Sequence, residues 1–101
     1  MENYAYIRIC REGEKYFVSC EKIRADPEEI VGLFSCVGQE VFGERHALGL
    51  VRSFSREDPY MRILTDDSEG DPLPEFLLGK LIKLRINHNN FVEKNLSKLE
   101  S

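Results

Sequence analysis

The chain has 101 residues, a hydrophobic fraction of 42%, a charged fraction of 32% and a formal net charge of −4 at pH 7. This length fits one domain built around one hydrophobic core, and the composition is that of a folded chain rather than a disordered one. The negative charge argues against a protein that coats nucleic acid, because neutralising phosphates requires clustered lysine and arginine side chains. We therefore expect a single domain over residues 1–101.

The sequence shows no membrane or export signal. No apolar run approaches the roughly 20 residues that span a bilayer, and the first residues lack the basic and apolar blocks of a signal peptide. The three cysteines, Cys10, Cys20 and Cys36, form no C-x-x-C pair, so their spacing suggests neither a disulfide framework nor a zinc ribbon and favours buried thiols. We expect an intracellular protein, cytoplasmic or nuclear, without membrane contact.

The N-terminal part of the chain predicts a β-hairpin. Residues 4–11 alternate between aliphatic side chains and a mixed set of polar and aromatic ones, which is the period of a strand. Residues 15–20 resume this alternation with aromatic and β-branched side chains. Gly13, which lies between the two segments, can supply the positive backbone dihedral of a tight turn.

The middle of the chain predicts short strands separated by loops. The sequence DPEE at residues 26–29 signals the start of a helical turn, which we expect to lead into a buried strand over residues 30–37. After a loop over residues 38–46, residues 47–55 and 60–65 predict a hairpin-like pair of strands.

The C-terminal part predicts a loop, a strand and a helix. Residues 66–74 are acidic and proline-containing and predict a surface connection. Residues 75–79 can form one helical turn, residues 81–86 alternate as a strand, and Asn89 and Asn90 can cap an amphipathic C-terminal helix. The fold class we expect is α+β and β-dominated, with five to six mostly antiparallel strands in a small partly open barrel or sheet and with a C-terminal helix.

The sequence contains no complete catalytic or metal-binding motif. Gly79 and Lys80 lack the preceding glycine and the following hydroxyl residue of a phosphate-binding loop. Neither His46 nor His88 lies in the sequence signature of an activated serine or cysteine, and the acidic residues 66–71 lack the alternating ligands of a calcium loop. We predict a protein that is not an enzyme and has no cofactor or metal; a small enzyme whose site the sequence hides stays open as an alternative.

Basic residues recur on the predicted strands. If three of those strands are neighbours, their arginine and lysine side chains would form a basic face with a tyrosine beside it. Such a face can bind single-stranded nucleic acid through charge and base stacking, whereas the simpler alternative is that the charges solvate the outer face of a sheet. The candidate binding residues are Arg52, Arg62, Lys83, Arg85 and Tyr60.

Four segments carry a family resemblance: VGL at residues 31–33, LGLVRS at 48–53, MRILT at 61–65 and LLGKLIKL at 77–84. In this order they resemble the strands of the C-terminal domain of polynucleotide 5′-hydroxyl kinases, a family that includes RNA kinases of messenger-RNA 3′-end formation and pre-ribosomal-RNA processing. The sequence departs from the family pattern in having Asp66 after the third segment, where the family favours proline. It also has Leu48 where the family often has glycine.

The resemblance implies an accessory role. The catalytic residues of the kinase family lie in a P-loop domain that this chain lacks, so none of them is carried over, and Arg52 is the matching residue that could contact RNA. We therefore expect a non-catalytic interaction domain that docks on a protein partner in an RNA-processing assembly. The alternatives are an RNA- or single-strand-binding module that uses the basic face, and a structural or self-associating domain, for which a homodimer is plausible.

Overall fold

A computed structural model describes residues 2–25 and 38–100 of the chain. Within these ranges the elements follow one another as β1 (Glu2–Glu12), β2 (Lys15–Ala25), β3 (Gln39–Phe42), α1 (Glu44–Glu57), β4 (Arg62–Asp66) and α2 (Glu75–Glu100). The strands form one mixed open sheet in the order β3-β2-β1-β4. The strand β1 pairs antiparallel with β2 and parallel with β4, and β2 pairs antiparallel with β3.

The predicted α+β class and the C-terminal helix are confirmed, but the predicted number of strands is wrong. In the described part of the chain the sheet has four strands rather than five to six, it is not closed into a barrel, and two helices accompany it. The predicted strands over residues 47–55 and 81–86 lie in α1 and α2. The predicted loop over residues 38–46 instead contains β3 and the start of α1.

The predicted N-terminal hairpin is confirmed, although both strands are longer than expected. Ile7 is opposite Cys20, and Ile9 is opposite Val18, so apolar side chains from both strands share one face of the sheet. Gly13 in the turn has φ 62°, a left-handed conformation that glycine adopts without steric cost. The alternating pattern and the turn residue are both local signals, which is why the sequence alone predicts this hairpin.

The central strand β1 is covered on both faces. Ala5, Ile7 and Ile9 belong to the apolar core that the sheet forms with α1 and α2, and each is at most 4% exposed. On the other face Tyr6 and Arg8 are also buried, with exposed fractions of 7% and 9%. A strand buried on both faces serves as the anchor around which the other elements pack.

A polar cluster joins β1 to β4 on the second face of the sheet. The Tyr6 hydroxyl donates a hydrogen bond to the Asp66 carboxylate. Burial, and after it this hydrogen bond, raise the pKa of Tyr6 to about 12. Burial opposes the ionisation of Asp66 too, but hydrogen bonds from Ser68 and Tyr6 outweigh it and lower the pKa of the Asp66 carboxyl. The cluster therefore holds a neutral phenol against an ionised carboxylate at neutral pH.

The helix α1 forms where a strand is predicted because its apolar residues recur at helical spacing. Ala47, Val51 and Ser55 stand four residues apart and are buried, with Leu48 beside them on the same side. The β-branched Val51 and the interrupting Gly49 favour a strand locally. Packing of the one-sided apolar face on the sheet outweighs that local preference.

The helix α2 spans 26 residues, a region where a helical turn, a strand and a shorter helix are predicted. Residues 81–86 read as a strand because their alternation of apolar and basic side chains has the period of two. Leu77, Leu81 and Leu84 recur at spacings of four and three through the same segment, however, and they belong to the core side of a helix that packs against β4 and α1. Among the residues of α2 whose side chains the structure describes, the fully or almost fully buried ones are Leu77, Leu81 and Val92.

Two side chains of α2 hold the helix to the edge strand β4. Asn89 accepts a hydrogen bond from the Ile63 N–H at 2.8 Å and donates one to the Ile63 carbonyl at 3.1 Å. The Nε2 atom of His88 lies 2.7 Å from the Met61 carbonyl oxygen. Asn89 thus meets the hydrogen-bonding needs of the edge strand at Ile63 as a neighbouring strand would. These contacts fix the position of α2 on the sheet.

One set of predictions falls outside the described residues, and one concerns the cysteines. The helical turn over residues 26–29 and the buried strand over residues 30–37 lie in the part of the chain that the structure does not describe.

Cys20 is a half-buried free thiol, and burial raises its pKa. Cys10 is buried and disulfide-bonded, which contradicts the expectation of a thiol there. Within the described ranges, no helix combines the length and the hydrophobicity needed to cross a membrane.

Candidate docking surface

The solvent-facing side of α2 exposes large apolar side chains. Phe76, Ile82 and Ile86 are 61%, 48% and 49% exposed. They line a shallow hollow of about 370 Å³, with Gly79 between them. Ile82 and Ile86 are four residues apart and therefore neighbours on the helix, and Phe76 lines the same hollow. We call the surface that these three side chains form along about three turns the apolar stripe.

A basic cleft runs between α1 and α2, next to the apolar stripe. It has a volume of about 400 Å³, and its basic side chains are Arg52 and Arg56 from α1 and Lys80 and Lys83 from α2. None of the described residues that line the cleft is acidic. We call this feature the basic cleft. Like charges held this close repel one another, so an anionic group in the cleft would be stabilised.

The helical spacing of residues on α1 explains why two arginine side chains reach the basic cleft together. Arg52 and Arg56 stand one turn apart on the exposed side of α1, and the buried Ser55 lies between them in the sequence. The Ser55 hydroxyl is satisfied locally, because it donates to the Arg52 carbonyl at 2.8 Å. Leu84 and the half-exposed Phe91 supply the apolar part of the cleft. The cleft therefore offers both positive charge and apolar contact.

The apolar stripe and the basic cleft are two parts of one surface. Lys80 and Lys83 line both the cleft and the hollow over the stripe. The Lys80 ammonium lies 5.5 Å from the centre of the Phe76 ring, a distance at which a cation interacts favourably with an aromatic face. A ligand bound to the outer side of α2 would contact apolar and basic groups together.

The structure brings together only part of the predicted binding face. Arg52 and Lys83 meet in the basic cleft. Arg85 also lies on α2, but it is half-buried and does not line the cleft. The expected arrangement on three strands is wrong for these residues, because their segments are helical and a helix directs neighbouring residues around its axis rather than onto two faces.

The remaining predicted residues lie at another part of the surface. Arg62 is on β4, and its guanidinium lies 3.6 Å from the carboxylate of the exposed Glu93, and a pair at the surface of this kind contributes little to stability. The ring of Tyr60 is 58% exposed and lines a separate hollow with Arg62. Neither residue lines the basic cleft. The structure therefore separates them from Arg52 and Lys83.

Sequence reasoning missed most of the residues that form the docking surface. A helical reading of residues 75–91 would have placed apolar residues on both sides of α2, and that excess was the available signal. The alternation in residues 81–86 hides this signal, because a strand in that segment would direct Ile82, Leu84 and Ile86 into the core. The missed residues are Arg56, Phe76, Lys80, Ile82, Ile86 and Phe91.

Among the described residues, no group of three or more histidine, cysteine and acidic side chains lies close enough to hold a metal ion. His88 is occupied by the Met61 carbonyl at the rim of the basic cleft. What the described surface can supply is charge and apolar contact, which are the means of binding.

Comparisons of the chain with family models, with curated proteins and with solved structures gave no match. The resemblance to the kinase C-terminal domain therefore stays a prediction. Of the segments that carry it, residues 31–33 lie outside the described part of the chain and residues 61–65 overlap β4. Residues 48–53 and 77–84 lie in helices, where the family has strands.

Proposed function

We propose that this protein is a non-catalytic interaction domain that docks an acidic amphipathic segment of a partner protein on the outer side of α2. The observation that carries the proposal is the contact between the apolar stripe and the basic cleft, which share Lys80 and Lys83. Each half alone is common on protein surfaces. Their combination fits a ligand that has both apolar side chains and negative charge.

The apolar stripe supports a protein partner. Phe76, Ile82 and Ile86 are each about half exposed, although the same helix buries Leu77 and Leu81 on its other side. Covering such side chains with apolar groups of a partner contributes roughly 1 kcal/mol or more for each residue. An amphipathic helix laid along α2 is a common way to cover a stripe of this length.

The basic cleft sets the charge of the partner. Arg52, Arg56, Lys80 and Lys83 surround it, and its described lining has no acidic side chain to neutralise them. Aspartate and glutamate on one edge of the docked segment would meet these cations. Such pairing speeds association and selects against basic segments more than it adds affinity.

An RNA ligand fits the same surface less well. Bases stack on aromatic rings, whereas Ile82 and Ile86 in the stripe offer no flat face. Arg62 and Tyr60, which would extend a basic and aromatic track, lie elsewhere.

A second copy of this chain is also a poorer occupant than an acidic segment. In a symmetric dimer the same patch contacts itself, so Lys80 and Lys83 would lie near their counterparts. That arrangement leaves the charges of the basic cleft unpaired. Sedimentation of the purified protein tests it, and a stable dimer that dissociates in an Ile82→Asp variant would favour self-association over the proposal.

The test is a peptide selection on the purified protein. A display library of random helical peptides of about 15 residues, roughly four helical turns, is selected on the immobilised chain. We expect the enriched peptides to combine an apolar stripe with an excess of Asp and Glu. Enriched peptides without an acidic excess would contradict the charge part of the proposal.

Matched variants locate the binding surface. Lys80→Glu with Lys83→Glu should weaken the best peptide at least tenfold, because two attractions become repulsions. Ile82→Ser with Ile86→Ser should weaken it by a similar factor. Lys94→Glu makes one such charge reversal, half the change of the double variant, at an exposed position of α2 outside the basic cleft, and should leave the affinity within about twofold. Equal effects of all three variants would contradict the proposed site.

The same proteins test the RNA alternative. Fluorescence anisotropy with a labelled single-stranded RNA is measured at low and at physiological salt. We expect no binding at physiological salt. Salt-sensitive binding that is lost in an Arg52→Ala, Lys83→Ala variant would replace the protein-docking proposal with the nucleic-acid module.

A further inference from the structure

Another hollow lies where the turn between β1 and β2 meets the start of α1. It has a volume of about 550 Å³, within the range of small-molecule sites. One wall is the hairpin turn, and the other is the end of β3 with the first turn of α1. Its lining includes two arginines, two glutamates and two aromatic residues: Arg11, Glu14, Tyr16, Phe42, Glu44 and Arg45.

The hairpin wall of this hollow is held by a network of hydrogen bonds. Arg11 donates from Nε to the Gly13 carbonyl and from its terminal nitrogen to the Pro72 carbonyl, both at 2.7 Å. The Asp71 carboxylate accepts the Gly13 N–H at 2.8 Å. The Gly43 N–H donates to the Glu14 carbonyl at 3.4 Å, which joins the two walls. The hollow is therefore formed in advance rather than assembled by a ligand.

Tyr16 supplies the feature that packing alone does not explain. The residue is only 2% exposed, and no described residue is hydrogen-bonded to its hydroxyl. The hydroxyl oxygen itself reaches the surface, since no described buried side-chain oxygen is without a partner. Burial, and after it the charge of Glu44, raise the pKa of Tyr16, with Arg11 acting in the opposite direction. Glu44 and Arg11 both line the hollow, so the phenol oxygen is directed into it. A hydroxyl that belongs to a buried ring and opens on a hollow is a donor available to a ligand.

The start of α1 adds backbone donors to the same hollow. Gly43 is the N-cap residue, and no side chain caps the helix. The first intrahelical bond runs from the Ala47 N–H to the Gly43 carbonyl at 3.2 Å, so the preceding N–H groups of Glu44, Arg45 and His46 have no acceptor within the helix. Together with Tyr16 they form a set of donors that suits a carboxylate.

The charges around the hollow select the class of ligand. Arg11 and Arg45 are balanced by Glu14 and Glu44. A polyanion such as a nucleotide would be repelled by the two carboxylates, and a simple cation by the two guanidinium groups. A molecule with one charge of each sign can pair with both sets. Phe42, which is 58% exposed at the rim, offers a surface for an apolar side chain.

We propose that this hollow binds a small zwitterion of the amino-acid type. Its carboxylate lies against the Tyr16 hydroxyl, Arg45 and the start of α1, and its ammonium group faces Glu14 and Glu44. The apolar side chain of the ligand covers Phe42. This site is separate from the docking surface on α2 and does not depend on the function proposed for that surface.

The experiment is an NMR titration of the ¹⁵N-labelled full chain with three probes that share a phenyl ring and a short chain. L-Phenylalanine carries both charges, 3-phenylpropionate lacks the ammonium group, and 2-phenylethylamine lacks the carboxylate. We expect saturable shifts of the Gly13, Gly43 and His46 amides with L-phenylalanine. The two single-charge probes should bind at least tenfold more weakly, because each leaves one pair of protein charges unmatched.

Two variants assign the binding to this site. Tyr16→Phe keeps the ring in the core and removes only the hydroxyl, and it should weaken L-phenylalanine about tenfold. Arg45→Gln changes an exposed residue and should weaken it by a similar factor, which covers the case in which Tyr16→Phe disturbs folding. The proposal is overturned if L-phenylalanine gives no saturable shift at these amides, if a single-charge probe binds equally well, or if both variants keep the original affinity.

Discussion

The two helices of the described chain differ in how they distribute apolar side chains. In α1 the buried residues occupy one side, and the exposed side is polar, with Arg52 and Arg56 among its members. In α2 the buried Leu77 and Leu81 have exposed Phe76 and Ile82 as their immediate neighbours in sequence. Both helices contribute buried apolar side chains to the core. Only α2 exposes apolar surface that the fold does not use, and that difference is what directs attention to its outer side.

Apolar side chains indicate a docking surface only where the fold leaves them exposed, as it does on the outer side of α2. A helix that is apolar on two sides costs solubility unless the second side is covered. The basic residues around the apolar stripe both keep it soluble and define the charge of what covers it. The following changes test whether the two sides of α2 have the separate roles assigned to them.

The largest effect should come from the inner side of α2. Leu77→Ala removes a fully buried side chain and should lower the free energy of unfolding by about 2 to 5 kcal/mol. Ile82→Ala on the outer side should change it by less than about 0.5 kcal/mol. Urea denaturation of both variants measures the difference. Similar losses for the two would mean that the stripe belongs to the core.

A smaller loss should follow from releasing α2 from β4. Asn89→Ala leaves the N–H and carbonyl of Ile63 without their partners and should cost about 1 to 3 kcal/mol. Asn90→Ala, at the exposed neighbouring position, is the control. Hydrogen exchange should show faster exchange of the Ile63 amide only in the first variant. Unchanged protection at Ile63 would contradict the role given to Asn89.

The hydrogen bond between Tyr6 on β1 and Asp66 on β4 should make the free energy of unfolding decrease at high pH. The pKa of Tyr6 is raised to about 12 in the folded chain, above its ordinary value of 10. The neutral phenol is therefore favoured by folding, so its contribution is fully present below pH 10 and is lost as the pH rises towards 12. The loss should be about 2 kcal/mol. In Tyr6→Phe this alkaline component should be missing, as denaturation at pH 9 and pH 12 would show; Tyr60→Phe, at an exposed position, is the matched control.

The carboxylate of the same cluster should make the free energy of unfolding decrease at low pH. The pKa of Asp66 is lowered below its ordinary value of 3.8, chiefly because Ser68 and Tyr6 bonds outweigh burial. Its contribution is present above that value and is lost as the pH falls through the folded-state pKa. Asp66→Asn should flatten this part of the stability curve. A variant curve parallel to that of the original chain between pH 5 and pH 2 would contradict the assignment.

The smallest effect on stability should come from the basic cleft. Lys80→Glu and Lys83→Glu change exposed side chains and should each alter the free energy of unfolding by no more than about 0.5 kcal/mol. These same changes should abolish most of the peptide binding. A variant that loses stability and binding together would indicate a structural role for the cleft.

The sequence predicts the parts of this fold that depend on local signals. The hairpin follows from alternation and from Gly13, and the strand around Ile63 from its β-branched and apolar neighbours. The parallel pairing of β4 with β1 could not be derived, because it depends on contacts between residues about 58 apart in the chain. Such pairings are decided by packing of the whole domain.

The candidate site was predictable only in part for a related reason. Arg52 and Lys83 were identified by their charge, but their meeting depends on the helical state of both segments. The residues around Ile82 fit the periods of a strand and of a helix equally well over six positions. Only the longer run from Leu77 to Val92 favours the helix. Because the sequence analysis predicts a strand there, it places Ile82 and Ile86 of the apolar stripe in the core.

The most direct test of the docking surface is an NMR titration with the best selected peptide, observed at isoleucine methyl groups. Ile82 and Ile86 report on the apolar stripe, and the buried Ile7 and Ile9 serve as internal controls. We expect saturable shifts of the Ile82 and Ile86 methyl signals with little change at Ile7 and Ile9. Shifts confined to other isoleucines, with Ile82 and Ile86 unmoved at saturation, would contradict the central claim.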